Sequence, residues 1–281
     1  MSGGLRLVLD NLCRMLEEET PAGHASVPFI TALRDGHFYF ERETWHDLDA
    51  LSPKSLHNCP AELLLRVRDE NGRPVPPQDP VADIDSLGLT SAFDLFVTLS
   101  AIHETLNIGE TFPISINLSI QSINDHGFLP LVNKALEMFF RDQIVPEQII
   151  FELREDSDGQ QASIDSIEFM RQHGYRIALD DVSHHPDDKT RIETLGPYAD
   201  FLKIDGKTLC AARAGETDLD AFISLLRNVA PNAKILVEWV DSKAEACALH
   251  DSLGVGYAQG RDLPKTSGDF WEGHGSGPKP P

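Results

Sequence analysis

Eight strand-like apolar runs alternate with helical patterns along the 281-residue chain, and this alternation predicts an α/β protein made of parallel βαβ units. The eight runs extend over roughly 250 residues, the usual length of a (βα)8 barrel. The first two runs are separated by a loop without a convincing helix. We therefore predict a (βα)8 TIM-like barrel with an antiparallel first strand.

The predicted elements follow in order from the N-terminus. Apolar residues between Leu5 and Leu16 recur with the spacing of an amphipathic helix. We expect residues 1–26 to form this helix and a linker, residues 27–265 the barrel domain, and residues 266–281, rich in Gly, Pro and Ser, a flexible tail. The predicted strands are HFYFERETW, AELLLRV, FPISINLS, IIFELRE, RIALDD, DFLKID, KILVEWV and GVGYAQG. The clearest helical patterns between them are FDLFVTLSAIHETL, LPLVNKALEMFF, IDSIEFMRQHG and LDAFISLLRNVA.

The charge balance narrows the classes of partner. Lys+Arg number 24 and Asp+Glu number 45, giving a formal net charge of −21 that repels nucleic-acid polymers and anionic membranes. The sequence has no run of about 18 apolar residues, so we expect no membrane span. Its N-terminus lacks the basic start and cleavage site of a signal peptide, and its four dispersed cysteines form no CxxC pair. Together these features predict a cytoplasmic protein with reduced thiols.

A polar residue lies in or directly after almost every predicted strand. A barrel gathers the C-terminal ends of its strands at one mouth, where its chemistry is found. Several carboxylates meeting there would repel one another, and hard divalent cations such as Mg²⁺ or Mn²⁺ relieve that repulsion. The residues are Glu62, Asn117, Glu152, Asp180 with Asp181, Lys203 with Asp205, Glu238 and Gln259.

The adjacent pair Asp180-Asp181 is the most unusual of these features, because neighbouring side chains of a strand point to opposite faces. Two consecutive aspartates could serve two metal ions about 3.5–4 Å apart, a common arrangement for phosphodiester hydrolysis. Lys203 would then hold a water molecule or neutralise an oxyanion. Simpler interpretations stay open for each residue alone. An Asp-Asp pair before a loop is often a turn or helix cap, and Lys203 could pair with Asp180 or Glu152.

Seven segments, taken in order, resemble the motifs of the EAL family of cyclic di-GMP phosphodiesterases. The resemblance extends from about Phe29 to Lys265. The family's Glu-Ala-Leu motif corresponds to Glu62-Leu63-Leu64, although only the glutamate and the final leucine match. The matching segments are Glu62-Leu63-Leu64-Leu65-Arg66, Asn117-Leu118-Ser119, Glu152-Leu153-Arg154-Glu155, Asp180-Asp181, Lys203-Ile204-Asp205, Glu238-Trp239-Val240-Asp241 and Gln259-Gly260.

This resemblance implies hydrolysis of cyclic di-GMP to linear pGpG with Mg²⁺ or Mn²⁺, in a site that could hold two metal ions. Carried over by position, Lys203, Glu238 and Gln259 would be catalytic, and Arg66 and Asp205 would contact the substrate. Glu155 would anchor the loop that follows Asp180-Asp181. The implied metal ligands are Glu62, Asn117, Glu152, Asp180, Asp181 and Glu238.

Several positions depart from the family's pattern. The loop after Asp180-Asp181, usually Phe-Gly-Thr-Gly, reads Val182-Ser183-His184-His185, so it must take a path that does not need glycine. The first strand has Glu41 where the family has glutamine, which puts a negative charge near an anionic ligand. Trp239 replaces a glycine. Strand alternation predicts that its side chain points away from Glu238 and packs as buried core against the surrounding helices. If the strand has already ended at this position, the indole would instead lean over the mouth and compete with a guanine or stack on it.

Three functions remain open on this basis. The implied ligand set favours an active metal-dependent phosphodiesterase. The altered loop, Glu41 and Trp239 favour a catalytically impaired receptor for cyclic di-GMP, or a protein-interaction module without turnover. In each case the chain could form a homodimer or take a regulatory protein partner.

Overall fold

The computed structural model describes residues 3–49, 59–108, 113–154 and 162–263. Within these residues, ten strands form one sheet with the order β1-β3-β5-β6-β7-β8-β9-β10-β2, and the short strand β4 pairs with β3 outside that path. The strands are β1 Phe38–Thr44, β2 His46–Asp47, β3 Ala61–Arg68, β4 Pro74–Val75, β5 Ile114–Leu118, β6 Ile149–Leu153, β7 Arg176–Val182, β8 Phe201–Ile204, β9 Lys234–Val237 and β10 Tyr257–Ala258.

The sheet closes on itself through its first two strands. β1 pairs antiparallel with β3, and β2 pairs antiparallel with β10 at the opposite end of the path. Only Trp45 separates β1 from β2 in the sequence, so one chain segment joins both ends of the sheet. All neighbours from β3 to β10 are parallel. The prediction of a TIM-like barrel with an antiparallel first strand is confirmed.

Helices connect the parallel strands and surround the sheet. Many begin at a side chain that accepts a backbone N–H bond, as Asp205 does from Thr208, Asp218 from Ala221 and Ser242 from Glu245. The helices are α1 Gly3–Glu19, α2 Val27–Arg34, α3 Gln78–Ser86, α4 Thr90–Asn107, α5 Ile120–Asn124, α6 Phe128–Phe139, α7 Ile164–Gln172, α8 Lys189–Leu195, α9 Gly206–Arg213, α10 Leu219–Val229 and α11 Lys243–Leu253.

The N-terminal helix α1 packs on α2 and α4. Its buried residues Leu5, Leu9, Cys13 and Leu16 recur at helical spacing and belong to the same apolar cluster as the strands. The division of the chain at residues 26 and 265 stays a prediction, and the predicted tail 266–281 lies outside the described residues. No helix in the described part of the chain is both long and apolar enough to cross a bilayer.

Two apolar layers hold the barrel together. The larger lies between the sheet and the helices. The smaller fills the interior of the barrel and consists of Trp45, Ile150, Ala178, Phe201, Leu236 and Tyr257. Trp45 is fully buried there, with its ring centroid 5.1 Å from that of Phe201. This interior layer is the floor on which the polar residues of the barrel mouth rest.

Candidate active site

The polar residues of the strand ends lie directly above the apolar floor, because side chains two apart on a strand face the same side. Five successive parallel strands repeat the same step, an apolar floor residue followed two positions later by a polar one. The pairs are Ile150 and Glu152, Ala178 and Asp180, Phe201 and Lys203, Leu236 and Glu238, and Tyr257 and Gln259. The period of two therefore gathers these polar side chains at one place.

Lys203 lies at the centre of this group and is 1% exposed. Its Nζ atom is 2.7 Å from Asp180 Oδ1, 3.1 Å from Glu238 Oε1 and 3.4 Å from Glu62 Oε2. It also donates a hydrogen bond to Glu152. Below it, the ring of Trp45 lies 5.7 Å from Nζ. We call Lys203 with Glu62, Glu152, Asp180 and Glu238 the Lys203 cluster.

Two amides add hydrogen bonds to Glu62 of the cluster. Asn117 donates through Nδ2 to Glu62 Oε1 at 2.9 Å. Gln259 donates through Nε2 to Glu62 Oε2 and to Glu43 Oε2, each at 3.0 Å. Both oxygens of Glu62 are thereby fixed in direction. Glu43 was not among the predicted site residues, although its place opposite Glu62 in the β1–β3 pair could have indicated it.

The cluster carries an excess of negative charge, since one ammonium group faces four carboxylates. Burial opposes the charged form of Lys203, but Glu152 and the other carboxylates hold its pKa well above the ordinary value. Burial raises the pKa of Glu152 well above its usual range, and repulsion from Glu62 adds to the shift. Burial likewise raises the pKa of Glu238 to about 7, against the attraction of Lys203. At neutral pH the cluster therefore holds protons that isolated carboxylates would release.

The donor chemistry of the cluster suits a hard divalent cation, because carboxylate and amide oxygens are the ligands that Mg²⁺ and Mn²⁺ prefer. The buried Oε1 atom of Glu152 has no hydrogen-bond partner among the described residues, which leaves one oxygen available as a ligand. Across those same residues, however, no three His, Cys, Asp or Glu side chains are already arranged around a metal position. The ammonium group of Lys203 lies between the carboxylates instead.

A β-bulge explains the adjacent aspartates. Leu179 pairs with Leu202 and Val182 with Ile204, so β7 contains one more residue than β8 over this stretch. Asp180 is buried and faces Lys203, whereas Asp181 is exposed and adopts a left-handed φ of 51°. Asp180 contacts Lys203 directly, whereas Asp181 has no such contact and interacts with Asp180 and Lys203 only through their charges.

The loop after the bulge is held by an arginine that sequence reasoning missed. Arg191 of α8 donates to the backbone oxygen of Asp180 at 2.8 Å and to Asp188 at 2.6 Å. Asp188 in turn accepts from the backbone N–H of Ser183 at 2.7 Å. The side chains of Asp188 and Arg191 are 3% and 11% exposed, so the pair is buried. Asp188 is the second acid after the pair in DDVSHHPDD, and only its burial distinguishes it.

The backbone of this loop adopts a conformation that needs no glycine. All four residues 182–185 are described, and none of them adopts a left-handed φ. The expectation drawn from the missing glycines is therefore met. Glu155, the predicted anchor of this loop, lies outside the described residues.

The two predicted substrate contacts lie apart from the Lys203 cluster. Arg66, four residues beyond Glu62 on β3, donates through Nε to Glu41 Oε2 at 2.7 Å. Asp205 follows β8 directly and accepts from the backbone N–H of Thr208 at 2.8 Å, so it caps α9. The phosphate contact of Arg66 and the substrate contact of Asp205 stay predictions.

The expected placement of Trp239 is wrong. β9 ends at Val237, and Trp239 follows with a left-handed φ of 54° and 55% of its surface exposed. The alternation argument failed because it extended the strand two residues too far. The indole lies on Gly206 so closely that a Cβ atom there would overlap the ring.

Comparison with known proteins places this geometry in a family. The model of the EAL domain matches residues 54–263, more than half of the chain. Over 207 residues, 71% of this chain, the sequence is 30% identical to the cyclic di-GMP phosphodiesterase PdeF of Escherichia coli strain K12. It is 29% identical over 206 residues to the cyclic di-GMP phosphodiesterase PdeA of Borreliella burgdorferi. The matched regions are only 27% and 30% of those relatives' lengths.

A solved structure with the same fold is the FimX EAL domain from Pseudomonas aeruginosa bound to c-di-GMP. It aligns with a TM-score of 0.70 and 22% identity over 88% of this chain and 98% of that one. At this identity the likeness establishes the barrel fold alone. The match to the family model, together with the motifs gathered around Lys203, shows that the chain belongs to the EAL domain family.

Proposed function

We propose that this chain is a metal-dependent phosphodiesterase that hydrolyses cyclic di-GMP to linear pGpG. The observation that carries the proposal is the Lys203 cluster, in which four carboxylates from separate strands meet around one buried cation. Such a surplus of buried negative charge is unfavourable unless a cation neutralises it. The relatives named as cyclic di-GMP phosphodiesterases supply the substrate class.

The metal would be Mg²⁺ or Mn²⁺, bound by oxygen ligands from the strand ends. A bound divalent ion supplies a hydroxide near neutral pH and stabilises charge on the attacked phosphate. Asp180 and Asp181 are adjacent at the end of one strand, so each could serve one of two neighbouring ions. The proposed ligands are Glu62, Asn117, Glu152, Asp180, Asp181 and Glu238.

The remaining residues would orient the metal ligands and the substrate and neutralise negative charge. Lys203 holds its ammonium group among the carboxylates. With a metal ion held by those carboxylates, the ammonium group would hold a water molecule or neutralise charge on a phosphate oxygen. Gln259 fixes the direction of Glu62. Glu238 would be both a metal ligand and a catalytic residue; burial raises its pKa to about 7 in the metal-free protein, and a bound cation would favour its charged form. Arg66 and Asp205 would hold the substrate, and Arg66 must leave Glu41 to do so.

The contact between Arg66 and Glu41 also favours a second candidate, a protein-interaction module that has lost the nucleotide. The carboxylate of Glu41 already occupies the guanidinium group proposed to bind phosphate. Half of the Glu41 side chain is exposed, so the pair is weak and screened by solvent. A phosphodiester, whose single negative charge is shared by two oxygens, can accept two hydrogen bonds from a guanidinium group and competes with such a pair. We therefore rank a nucleotide-binding function above a module that has lost the nucleotide.

Chromatography of product over time tests the proposal. Wild-type protein is incubated with cyclic di-GMP and Mn²⁺, and substrate and pGpG are separated and measured. We expect pGpG to accumulate and EDTA to stop it. Glu152→Gln is the matched inactive variant, because it removes a charged ligand and keeps the shape of the side chain.

Two other outcomes are informative. If calorimetry with Ca²⁺ detects binding of cyclic di-GMP but no pGpG forms with Mn²⁺, the protein is a receptor and the phosphodiesterase proposal fails. If neither binding nor product is detected, cyclic di-GMP is not the ligand.

A further inference from the structure

Trp239 combines an exposed side chain with a constrained backbone. Its side chain and backbone together are 55% exposed, and its φ of 54° is a conformation that residues other than glycine rarely adopt. Conformations of this kind tend to persist where the surrounding structure fixes them and function uses them.

The backbone on both sides of the indole is fixed by hydrogen bonds. The N–H of Glu238 donates to the backbone oxygen of Ile204, and the N–H of Val240 donates to that of Gln259, each at 3.1 Å. Arg213 donates to the backbone oxygen of Trp239 itself at 2.9 Å. Arg213 is in turn held by Glu245 at 2.7 Å. Three bonds therefore hold the segment from Glu238 to Val240 in place.

One face of the indole is covered and the rest is open. The ring rests on Gly206, where any side chain would overlap it. Gly206 follows Asp205 at the end of β8, and Trp239 follows Glu238 at the end of β9. Because consecutive Cα atoms are about 3.8 Å apart, the backbone of Trp239 lies at the same barrel mouth as Glu238, and its indole covers the residue that follows Asp205. A flat, rigid aromatic surface thus lies beside the proposed phosphate-cleaving centre.

We propose that Trp239 is a base-stacking residue, and that a purine ring of the cyclic dinucleotide lies on the exposed face of its indole. This inference rests on the proposed ligand and adds a residue that contacts it. Purines stack on aromatic side chains whatever their hydrogen-bonding edges, and a fused two-ring indole offers a surface of matching size. The rigid backbone keeps the ring in position before the ligand arrives, which limits the entropy lost on binding.

Calorimetric titration with cyclic di-GMP in Ca²⁺ tests the stacking role. Trp239→Gly is expected to fold, since glycine adopts a left-handed φ freely. We expect its affinity to fall about tenfold or more, as for the loss of one base stack. Trp239→Phe keeps an aromatic ring and should recover most of that affinity. Phe169→Ala, which removes an aromatic that is 41% exposed on α7, should bind like wild type.

Fluorescence gives a second readout that a purely structural role would not move. Stacking should change the tryptophan emission of wild type on ligand addition, and Trp239→Phe should lose that change while still binding. Equal or tighter binding by Trp239→Gly would overturn the stacking role, as would ligand binding without any emission change from Trp239. If wild type itself binds no cyclic di-GMP, the proposed function fails and this inference falls with it. If wild type binds cyclic di-GMP and the Trp239 variants bind it equally well, the stacking role fails and the proposed function stands.

Discussion

Replacing Lys203 with methionine removes the ammonium group at the centre of the Lys203 cluster and keeps a side chain of similar length. The four surrounding carboxylates then face one another without it. In the wild-type protein Lys203 is almost wholly buried, and its Nζ atom lies within 3.4 Å of all four. The substitution therefore acts on electrostatics far more than on packing.

The expected loss of stability follows from the burial. Removing one partner of a buried ion pair costs about 3–5 kcal/mol, because the other charge stays buried without compensation. Burial and mutual repulsion already raise the pKa of Glu152, so protonation will relieve part of the loss as pH falls. We expect a decrease near the upper end of this range in alkaline buffer and a smaller decrease in mildly acidic buffer.

Urea denaturation in EDTA measures the effect directly. Lys207→Met is a matched control, because Lys207 lies four residues away on α9 and its side chain is exposed. A surface change of this kind usually alters stability by no more than about 0.5 kcal/mol. Adding Mn²⁺ should stabilise Lys203→Met more than wild type, since no ammonium group then competes for the carboxylates.

The reasoning would be refuted if Lys203→Met lost less than about 1 kcal/mol in alkaline EDTA buffer, well below the cost of an uncompensated buried charge. It would also be refuted if the loss of stability grew as pH fell, because repulsion between carboxylates weakens as they become protonated.

Three further predictions follow from other parts of the site. In the metal-free protein, burial raises the pKa of Glu238 from its ordinary value of 4.5 to about 7. Because this carboxyl binds its proton more tightly in the folded protein, the unfolding free energy should fall as pH rises between these two values. Urea melts should show a decrease of up to about 3 kcal/mol over this pH range, and Glu238→Gln should remove it. Arg191→Ala leaves Asp188 buried and unpaired and should lower the unfolding free energy by about 3–5 kcal/mol in chemical denaturation. The double variant Asp188→Asn with Arg191→Met removes both charges and should lower it clearly less. Equal losses for the two proteins would contradict the ion-pair explanation. Trp239→Gly should change the unfolding free energy by less than about 1 kcal/mol, because relief of the left-handed φ offsets the lost contact with Gly206; a loss of 3–5 kcal/mol, as for a buried aromatic, would show that the indole is core.

The barrel and most of its polar mouth were predictable because both depend on short-range periodicity. Strands alternate with helices along the sequence, and a period of two within each strand places Glu152, Asp180 and Lys203 on the inner face. The first strand was also predictable as antiparallel, since no helix separates HFYFERETW from AELLLRV. These features need only local sequence and the known geometry of parallel barrels.

The parts that were missed depend on where strands stop. Trp239 was placed in the core because Val240 continues an apolar run, yet β9 ends at Val237 and a left-handed residue follows. Here the end of the strand is set by hydrogen bonds to Ile204, Gln259 and Arg213, which are distant in the sequence. A local sequence pattern contains no information about such bonds.

Contacts between residues far apart in the sequence could not be predicted either. Arg191 belongs to an ordinary helical stretch, and nothing nearby indicates that it holds the backbone of Asp180. The bulge that separates Asp180 from Asp181 likewise arises from the pairing of β7 with β8. Sequence reasoning identified the two aspartates as unusual, and the register of the neighbouring strand supplies the reason.

A titration of metal-free protein with Mn²⁺, followed by electron paramagnetic resonance, tests most directly whether the Lys203 cluster is a metal centre. We predict saturable binding by wild type and at least about tenfold weaker binding by Asp180→Asn, because the amide supplies no charged oxygen. Unchanged melting of that variant in EDTA would show that its fold is intact. Equal Mn²⁺ binding by wild type and Asp180→Asn, or none by wild type, would contradict a metal-dependent centre at the barrel mouth.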